Sequence, residues 1–425
     1  MKLTRRKFGR LIGAAATAAA GKSLFPKPAV GGAKARVVVV GGGAGGATVA
    51  RHLAEDFNAI GVTLIEANAR YTACFFANRY LGGIRTLDSV THDYRTLASK
   101  YGVGVVHDWA TDIDAGKKTV TLKGGGKLAY DRLVMAPGID FKYDLIDGYG
   151  ESATETIPHA YKADRGIAVL KRQLEAMKDG GVFVITAPKR PYRCPPAPYE
   201  RAAMAAYYLK RVKPRSKILI LDAKDEFPMS EVMTEAWERY YGDMIEWVPA
   251  EFGGQIRAVE VKTKTLITAE EKVPADVANI IPEQQAGRIA QIAGLTDETG
   301  WCPIRPGTFE SALRPGIHLV GDAIDPGDMS KSAFSANSQA RACAAAVGAA
   351  LTERRPAEPR YTNTCFFLAS RGVGLKVGGT YKAKAGRLTG VTGFASQPGE
   401  DDDTRKATAA EGEAWYAAIT GEMFG

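Results

Sequence analysis

Residues 36–46, RVVVVGGGAGG, decide the fold of this chain. The β-branched run from Arg36 to Val40 is typical of a buried strand, and it leads directly into a glycine-rich turn. An alanine-rich helical segment follows to about Glu55, and Val62 to Glu66 is predicted as a second strand that ends in an acid. A strand, a glycine turn, a helix and a second strand within about 30 residues predict a βαβ dinucleotide-binding unit.

Three glycines and one acid in this unit are candidate cofactor ligands. Gly41 permits the tight turn, Gly43 lets the backbone approach a pyrophosphate, and Gly46 allows the helix to pack closely on the strand. The N-terminus of that helix supplies the positive end of its dipole. Glu66 is predicted to accept hydrogen bonds from the adenosine ribose hydroxyls, and an acid at this place disfavours a 2′-phosphate.

A second glycine and acid, late in the chain, indicate that the dinucleotide is FAD. Gly321 and Asp322 end the predicted strand IHLVGD, residues 317–322, just before a long helix. In flavoproteins with two dinucleotide folds, an Asp in this place binds the ribityl chain of FAD. A GD pair after a strand is common by itself, so the prediction depends on its pairing with the N-terminal fingerprint.

A second α/β block, with predicted strands at 181–185 and 217–222, has no glycine fingerprint. The turn after its first strand reads TAPKRP, residues 186–191. Proline and bulky cations at this turn block the close approach of a pyrophosphate. The block is therefore predicted to keep the dinucleotide-binding fold without binding NAD(P)H.

The order of elements predicts an α/β fold with two Rossmann-like domains, arranged as in glutathione reductase, and a small C-terminal α+β domain. The FAD-binding domain is predicted in two parts, 34–150 and 286–355, on either side of the second Rossmann-like domain at 151–285. The C-terminal domain is predicted at 356–425. A chain of 425 residues, 45% of them hydrophobic, is long enough for several such cores.

The N-terminal residues 1–33 are predicted to be a twin-arginine signal peptide. Arg5 and Arg6 lie in the string TRRKF, and the alanine-rich run that follows is too short and too weakly apolar to span a membrane. A disordered basic N-terminus is the alternative. Because twin-arginine signals mark proteins exported in folded form, we expect a periplasmic protein that loads its cofactor before export.

Charge gives no indication of a nucleic-acid or membrane partner. Residues 1–28 carry seven basic side chains and no acid, so removing them lowers the formal net charge from +9 to +2. The remainder is nearly neutral, and no later stretch resembles a membrane span.

The five cysteines contain no CxxC pair, so neither a zinc site nor a thioredoxin motif is indicated. The five histidines show no ligand spacing, and no metal site is predicted. From the residues alone, Cys74 is best interpreted as a buried core thiol. Cys302 and Cys343 are expected to be buried structural residues as well.

Several long strings resemble the flavoprotein subunit of flavocytochrome c sulfide dehydrogenase, within the wider sulfide:quinone oxidoreductase and disulfide reductase group. The likeness covers the chain from Arg36 to Gly425. It rests on VVVVGGGAGGAT, YTACFFANRYLGG, YRCPPAPYER, IAQIAGLTDETGWCPI, GDAIDPGDMSKSAFSANSQA, NTCFF and AWYAAITGEMFG.

The resemblance implies roles for three cysteines. Cys74 matches the cysteine that holds FAD covalently through a thioether. Cys194 and Cys365 match a redox-active disulfide on the other face of the flavin, where sulfide would attack one sulfur. Arg193 is expected to favour the thiolate of its neighbour Cys194. A purely structural disulfide between the two cysteines is the alternative.

The resemblance also implies a partner. The stretch from Lys331 to Gln339 resembles the segment whose helix N-terminus faces the flavin pyrimidine, and Lys331 is an expected cofactor contact. Electrons are expected to leave for a c-type cytochrome subunit in a heterodimer, and any haem belongs to that partner because this chain has no CxxCH. A sulfide:quinone oxidoreductase, or an exported flavoprotein that only binds a cytochrome, are the alternative functions.

Overall fold

The computed structural model describes residues 33–355 and 358–425. The predicted twin-arginine segment lies outside the described residues, apart from residue 33 at its end. Within the described ranges, no helix is long and apolar enough to cross a lipid bilayer.

The first unit is built on a seven-stranded sheet whose strand order is β19-β20-β21-β9-β1-β2-β5. The five strands from β21 to β5 run parallel, and β1 lies between β2 and β9. Numbered in chain order, the strands are β1 (Ala35–Val40), β2 (Ile60–Ile65), β5 (Gly104–Val106), β9 (Arg132–Met135), β19 (Ile304–Arg305), β20 (Glu310–Ser311) and β21 (Ile317–Leu319). The late strand β21 thus returns to the first sheet, as the sequence predicts.

Two long helices pack together beside this sheet: α1 (Ala44–Asp56) and α8 (Ala333–Leu351). The helix α1 begins immediately after the glycine turn. Small elements surround the sheet: β3 (Arg70–Thr72), β4 (Thr91–Asp93), β6 (Ala110–Asp114), β7 (Thr119–Leu122), β8 (Lys127–Ala129), β10 (Ile139–Phe141), β18 (Gln284–Ala286), α2 (Ala77–Leu81), α3 (Arg95–Ser99) and α7 (Arg288–Ile292).

The second unit has a parallel sheet in the order β13-β12-β11-β17. Its elements are α4 (Gly166–Ala176), β11 (Val182–Ala187), α5 (Ala197–Val212), β12 (Lys217–Asp222), α6 (Ser230–Tyr241), β13 (Ile245–Val248) and β17 (Val277–Asn279), with an antiparallel sheet of β14 (Ala258–Glu260), β15 (Thr265–Ile267) and β16 (Lys272–Pro274). Two Rossmann-like units in one chain confirm the predicted α/β fold.

The C-terminal unit is a three-stranded antiparallel sheet with one long helix. It contains β22 (Tyr361–Ser370), β23 (Val373–Lys384), β24 (Arg387–Ala395) and α9 (Asp402–Phe424). The edge strand β22 packs on α5 of the second unit and on α8 of the first, so the C-terminal unit touches both Rossmann-like units. Helix α9 begins at Asp402, because the Asp401 side chain caps it by accepting a hydrogen bond from the Thr404 N–H.

The glycine turn is the tightest point of the first unit. A Cβ added at Gly46 would lie 1.8 Å from the Gly41 carbonyl oxygen, whereas one added at Gly43 would meet nothing closer than Tyr71 at 3.6 Å. The helix can therefore approach the strand only if position 46 has no side chain.

We expect Gly46→Ala to destabilise the protein by about 1–3 kcal/mol, because the methyl group overpacks the contact between strand and helix. Gly43→Ala is the matched control, with nearly unchanged stability but weaker binding of the predicted FAD, because the methyl group lies where the backbone is expected to approach the pyrophosphate. Urea unfolding and flavin retention measure the two effects. Equal losses of stability in both variants would contradict this account.

Candidate active site

A large cavity of about 940 Å³ lies beyond the carboxyl end of β1, and all three units contribute to its walls. Eight of the ten predicted site residues line it: Gly41, Gly43, Glu66, Cys74, Cys194, Gly321, Asp322 and Cys365. The two others, Gly46 and Lys331, lie behind its walls. The fold thus brings together residues from both ends of the chain.

At one end of the cavity, the glycine turn and Glu66 form a polar cradle. Gly41 has a φ of +97°, and a Cβ there would lie 2.3 Å from the Ala136 carbonyl oxygen, so the turn requires glycine. One oxygen of Glu66 accepts a hydrogen bond from the Gly42 N–H at 2.8 Å, and the other accepts from the Asn68 N–H at 2.9 Å. The carboxylate is therefore held at the cavity wall, where the ribose is predicted to bind.

In the middle of the cavity, Asp322 presents an unused acceptor. Its Oδ2 is paired with Nε of Arg193 at 2.6 Å, and the two side chains are only 11% and 17% exposed. Its Oδ1 is buried and has no hydrogen-bond partner among the described residues. Buried acceptors are nearly always satisfied, so this atom fits a hydroxyl donor such as the ribityl chain of FAD.

Two exposed apolar side chains that no sequence pattern indicates also line the cavity. Trp109 is 60% exposed and Ile292 is 50% exposed, and both line the cavity on the Glu66 side. Large exposed apolar side chains often mark a binding site. Their positions in a loop and a short helix carry no periodic signal. The glycine turn, Glu66 and Asp322 together fit FAD.

The two predicted redox cysteines meet at the cavity wall although 171 residues separate them in sequence. Cys194 has a φ of +49°, and this strained backbone is held by a hydrogen bond from its N–H to the Lys331 carbonyl at 2.7 Å. Cys365 lies on β22, with its sulfur 3.9 Å from the Asn363 side-chain nitrogen. Both are free thiols, and they lie close enough to change each other's pKa.

The proximity of the two cysteines shifts their pKa values in opposite directions. The interaction with Cys365, together with burial, raises the pKa of Cys194. The same interaction lowers the pKa of Cys365. Of the two thiols, Cys365 is therefore the more acidic.

Arg193 does not act on Cys194 as the sequence analysis expects. Its guanidinium points away from its neighbour, towards Asp322, the Tyr161 carbonyl at 2.8 Å and the Cys74 sulfur at 3.9 Å. Adjacent residues in an irregular segment face opposite directions, so proximity in sequence is a poor guide here. The arginine orders the side chain of Asp322 instead.

Cys74 lies on a different element from the cysteine pair and faces the same cavity. It begins a short 3₁₀ turn, Cys74–Phe76, and burial raises the pKa of its thiol although Arg193 opposes the shift. The position is compatible with a cofactor link, which stays a prediction.

On another wall, Ser332 caps the N-terminus of α8 by accepting a hydrogen bond from the Ser335 N–H. The positive end of this 19-residue helix thus opens on the cavity.

Glu200 is a buried carboxyl group in the cavity wall to which the sequence analysis assigned no role. Its oxygens accept hydrogen bonds from the Leu368 N–H at 2.9 Å and the Asn78 side chain at 2.8 Å. Burial raises its pKa. It follows Cys194 by six residues in the string YRCPPAPYER, which was the only available signal.

Comparison with protein families agrees with this site. Residues 167–282 match the model "Sulfide dehydrogenase [flavocytochrome c] flavoprotein chain, central" and residues 357–424 match "Flavocytochrome c sulphide dehydrogenase, flavin-binding". Residues 35–174 match "Pyridine nucleotide-disulphide oxidoreductase". The chain belongs to the flavocytochrome c sulfide dehydrogenase and sulfide:quinone oxidoreductase group of flavoproteins. It is accordingly an FAD-dependent oxidoreductase.

Individual relatives of this flavoprotein have low sequence identity. The mitochondrial sulfide:quinone oxidoreductase of Mus musculus is 22% identical over 317 residues, which are 71% of this chain and 68% of that protein. The enzyme of the same name from Dictyostelium discoideum is 24% identical over 315 residues, 72% of this chain and 68% of that protein. The solved structure of the sulfide:quinone oxidoreductase from Aquifex aeolicus has a TM-score of 0.71 and 17% identity, covering 91% of this chain and 92% of that one, and it shows the shared fold.

In the second unit of this flavoprotein, the acid that ends β12 is already occupied. Asp222 is fully buried and accepts hydrogen bonds from the side chains of Tyr199, Trp247 and Lys224. An acid at the end of the second strand is the one that binds ribose in a nucleotide-binding unit. This network supports the prediction that the unit does not bind NAD(P)H.

Lys331 is not a wall residue of this flavoprotein's cavity, although the sequence analysis included it among the cofactor contacts. Its side chain is buried behind the wall, 3.5 Å from the centre of the Trp301 ring, and its ammonium group donates to the carbonyls of Asp322 and Ile324. These carbonyls attract the ammonium away from the cavity. Lys331 therefore supports the turn that carries Asp322.

We expect Lys331 to make the stability of this flavoprotein depend on pH. Burial lowers its pKa from 10.5 to about 7, although Asp322 and Asp325 oppose the shift. Between these two pH values the unfolded chain binds the extra proton and the folded chain does not, so stability increases with pH. Lys331→Met removes this increase, whereas Lys382→Met, at an exposed position, keeps it. Urea midpoints at pH 6.5 and pH 9.5 measure the slope, and identical slopes in Lys331→Met and the parent would overturn the assignment.

Proposed function

We propose that the chain is an exported, FAD-dependent sulfide dehydrogenase that passes electrons to a c-type cytochrome. The observation that carries this proposal is the meeting of Cys194 and Cys365 at the wall of the cavity that fits FAD. Neither a structural disulfide nor a passive scaffold requires a cysteine pair in that place.

The acidity of the pair indicates which sulfur is attacked. In the disulfide form, HS⁻ adds to one sulfur, the bond between the cysteines breaks, and the other sulfur leaves as a thiolate. Of two possible leaving groups, the sulfur whose thiol has the lower pKa leaves faster. Because Cys365 has the lowered pKa, it is the leaving group, and the persulfide forms on Cys194.

A second HS⁻ then takes the outer sulfur from Cys194. The products are HSS⁻ and a reduced pair with one proton, held between the Cys194 thiol and the Cys365 thiolate, so atoms and charges balance. Bound FAD supplies a two-electron acceptor that reoxidises this pair and can release the electrons singly. The protein contributes the N-terminus of α8, whose positive end favours negative charge in the cavity.

Four further features belong to the proposal. FAD is attached through Cys74, the acceptor is a separate cytochrome chain that carries the haem and forms a heterodimer with this one, and the mature protein is periplasmic. The match of residues 357–424 to the flavocytochrome c flavin-binding model supports the cytochrome. The names of the curated relatives support a second candidate, sulfide:quinone oxidoreduction.

An anaerobic titration with sulfide tests the central step. We expect stoichiometric loss of the visible flavin absorbance, followed by reduction of an added c-type cytochrome faster than of a soluble quinone. Mass spectrometry of the trapped intermediate is expected to place the extra sulfur on Cys194. A flavin that stays oxidised in sulfide would overturn the function. Flavin that separates from the denatured chain would overturn only the link to Cys74.

A further inference from the structure

The outermost strand of the C-terminal sheet, β24, has an open edge. Residues 390–395, GVTGFA, are all exposed, and they include Val391 at 54% and Phe394 at 46%. The inner edge of β24 pairs with β23. Beyond Gly390, no other strand of the described chain covers the outer edge of β24. Open apolar edges invite pairing with another chain, and soluble proteins usually protect them.

This edge lies close to the redox centre. Cys365 on β22 pairs with Val377 on β23, and Val377 pairs with Ala395 on β24. Neighbouring strands are about 4.8 Å apart, so the edge is about 10 Å from the backbone of Cys365. Because β22 also forms part of the cavity wall, a protein bound at β24 would lie next to the cofactor site.

The hairpin end of the edge carries positive charge. Lys382, Lys384 and Arg387 are exposed on the β23–β24 hairpin, and none of them forms an ion pair within the described ranges. The nearby carboxylate of Asp328 is engaged by the Gly390 N–H at 3.1 Å. Unpaired cations around an apolar centre favour a partner with acidic side chains.

A lipid surface fits this edge poorly. Inside hydrocarbon, every exposed backbone N–H and C=O without a partner costs several kilocalories per mole, and open sheet edges do not occur there. A protein partner can satisfy these groups by adding a strand or polar side chains. The open backbone therefore favours a protein over a membrane.

We propose that the edge of β24, with Val391, Phe394 and the three cations of the hairpin, is the docking surface for an electron-accepting protein with an acidic face. This inference rests on the proposed function, in which that protein is a c-type cytochrome. The apolar side chains form the centre of the contact, and Lys382, Lys384 and Arg387 steer the approach.

Stopped-flow kinetics of the FAD-loaded full chain test the surface. We expect Phe394→Asp to lower the second-order rate of reduction of an acidic c-type cytochrome by about tenfold or more, as for a central interface residue. Reduction of the flavin by sulfide should stay unchanged. Phe252→Asp is the matched control, because Phe252 is 73% exposed on the second unit, away from β24. For the parent, added salt should slow the acidic cytochrome more than a basic one.

Other results of these experiments would assign the β24 edge to a different partner or reject the proposed function. Unchanged cytochrome kinetics in Phe394→Asp would overturn the docking surface and leave the proposed function intact. A change from dimer to monomer in sedimentation, without a kinetic effect, would assign the edge to a second copy and overturn the proposal. Loss of binding to anionic phospholipid vesicles, with normal cytochrome kinetics, would assign it to a membrane and also overturn it. Failure of sulfide to bleach the parent flavin would reject the function itself.

Discussion

Replacing either redox cysteine with serine is expected to reduce sulfide-dependent flavin reduction by on the order of a thousandfold or more, because the two sulfurs act as one unit. In the proposed mechanism, Cys194→Ser removes the site of attack and Cys365→Ser removes the leaving thiolate. The double variant is expected to be no slower than either single variant. Stopped-flow absorbance of the flavin, with sulfide as the only reductant, measures all three.

Cys343 provides the control for this experiment. It is fully buried in α8 and does not line the cavity, so Cys343→Ala should keep the rate per bound flavin even if some stability is lost. An equal loss of rate in Cys343→Ala would indicate a general effect of cysteine removal. A Cys365→Ser protein that sulfide still reduces at the parent rate would reject the paired mechanism.

The ion pair between Arg193 and Asp322 is expected to dominate the stability of the cofactor site. Arg193→Met leaves the carboxylate of Asp322 buried without its partner, and breaking a buried pair in this way costs about 3–5 kcal/mol. Asp322→Asn in the same chain removes the stranded charge. The double variant Arg193→Met/Asp322→Asn is therefore expected to be more stable than Arg193→Met alone.

Urea unfolding of the four proteins completes a double-mutant cycle. Arg215→Met is a useful control, because Arg215 pairs with Asp179 on the surface and such pairs add little stability. If the losses of the two single variants at positions 193 and 322 simply add, the pair is not coupled. Flavin retention, measured on the same samples, should fall in every variant that lacks Asp322.

The local parts of this site follow from sequence, and the parts made by tertiary packing do not. The glycine turn and Asp322 were predicted because a strand, a tight turn and a helix leave a local pattern. The meeting of Cys194 with Cys365 was expected only from the resemblance, since no local rule connects such distant residues. The fold brings them together because β22 packs against α5.

The directions of two cationic side chains do not follow from the sequence. Arg193 and Lys331 are cations beside important residues in sequence, yet buried acceptors elsewhere attract both, the Asp322 carboxylate in one case and main-chain carbonyls in the other. Trp109 and Ile292 gave no signal, because an exposed apolar side chain in an irregular segment cannot be distinguished from a solvated one before folding. These directions depend on neighbours that only the folded chain supplies.

The cavity has walls from residues as far apart as Gly41 and Trp415, and this sets an order of events during synthesis. A ribosome makes the glycine turn early, but β22 and α9 are made last. Until residue 415 has left the ribosome, the nascent FAD domain lacks the strand with Cys365 and one side of its pocket. FAD can therefore be enclosed only after translation of this region.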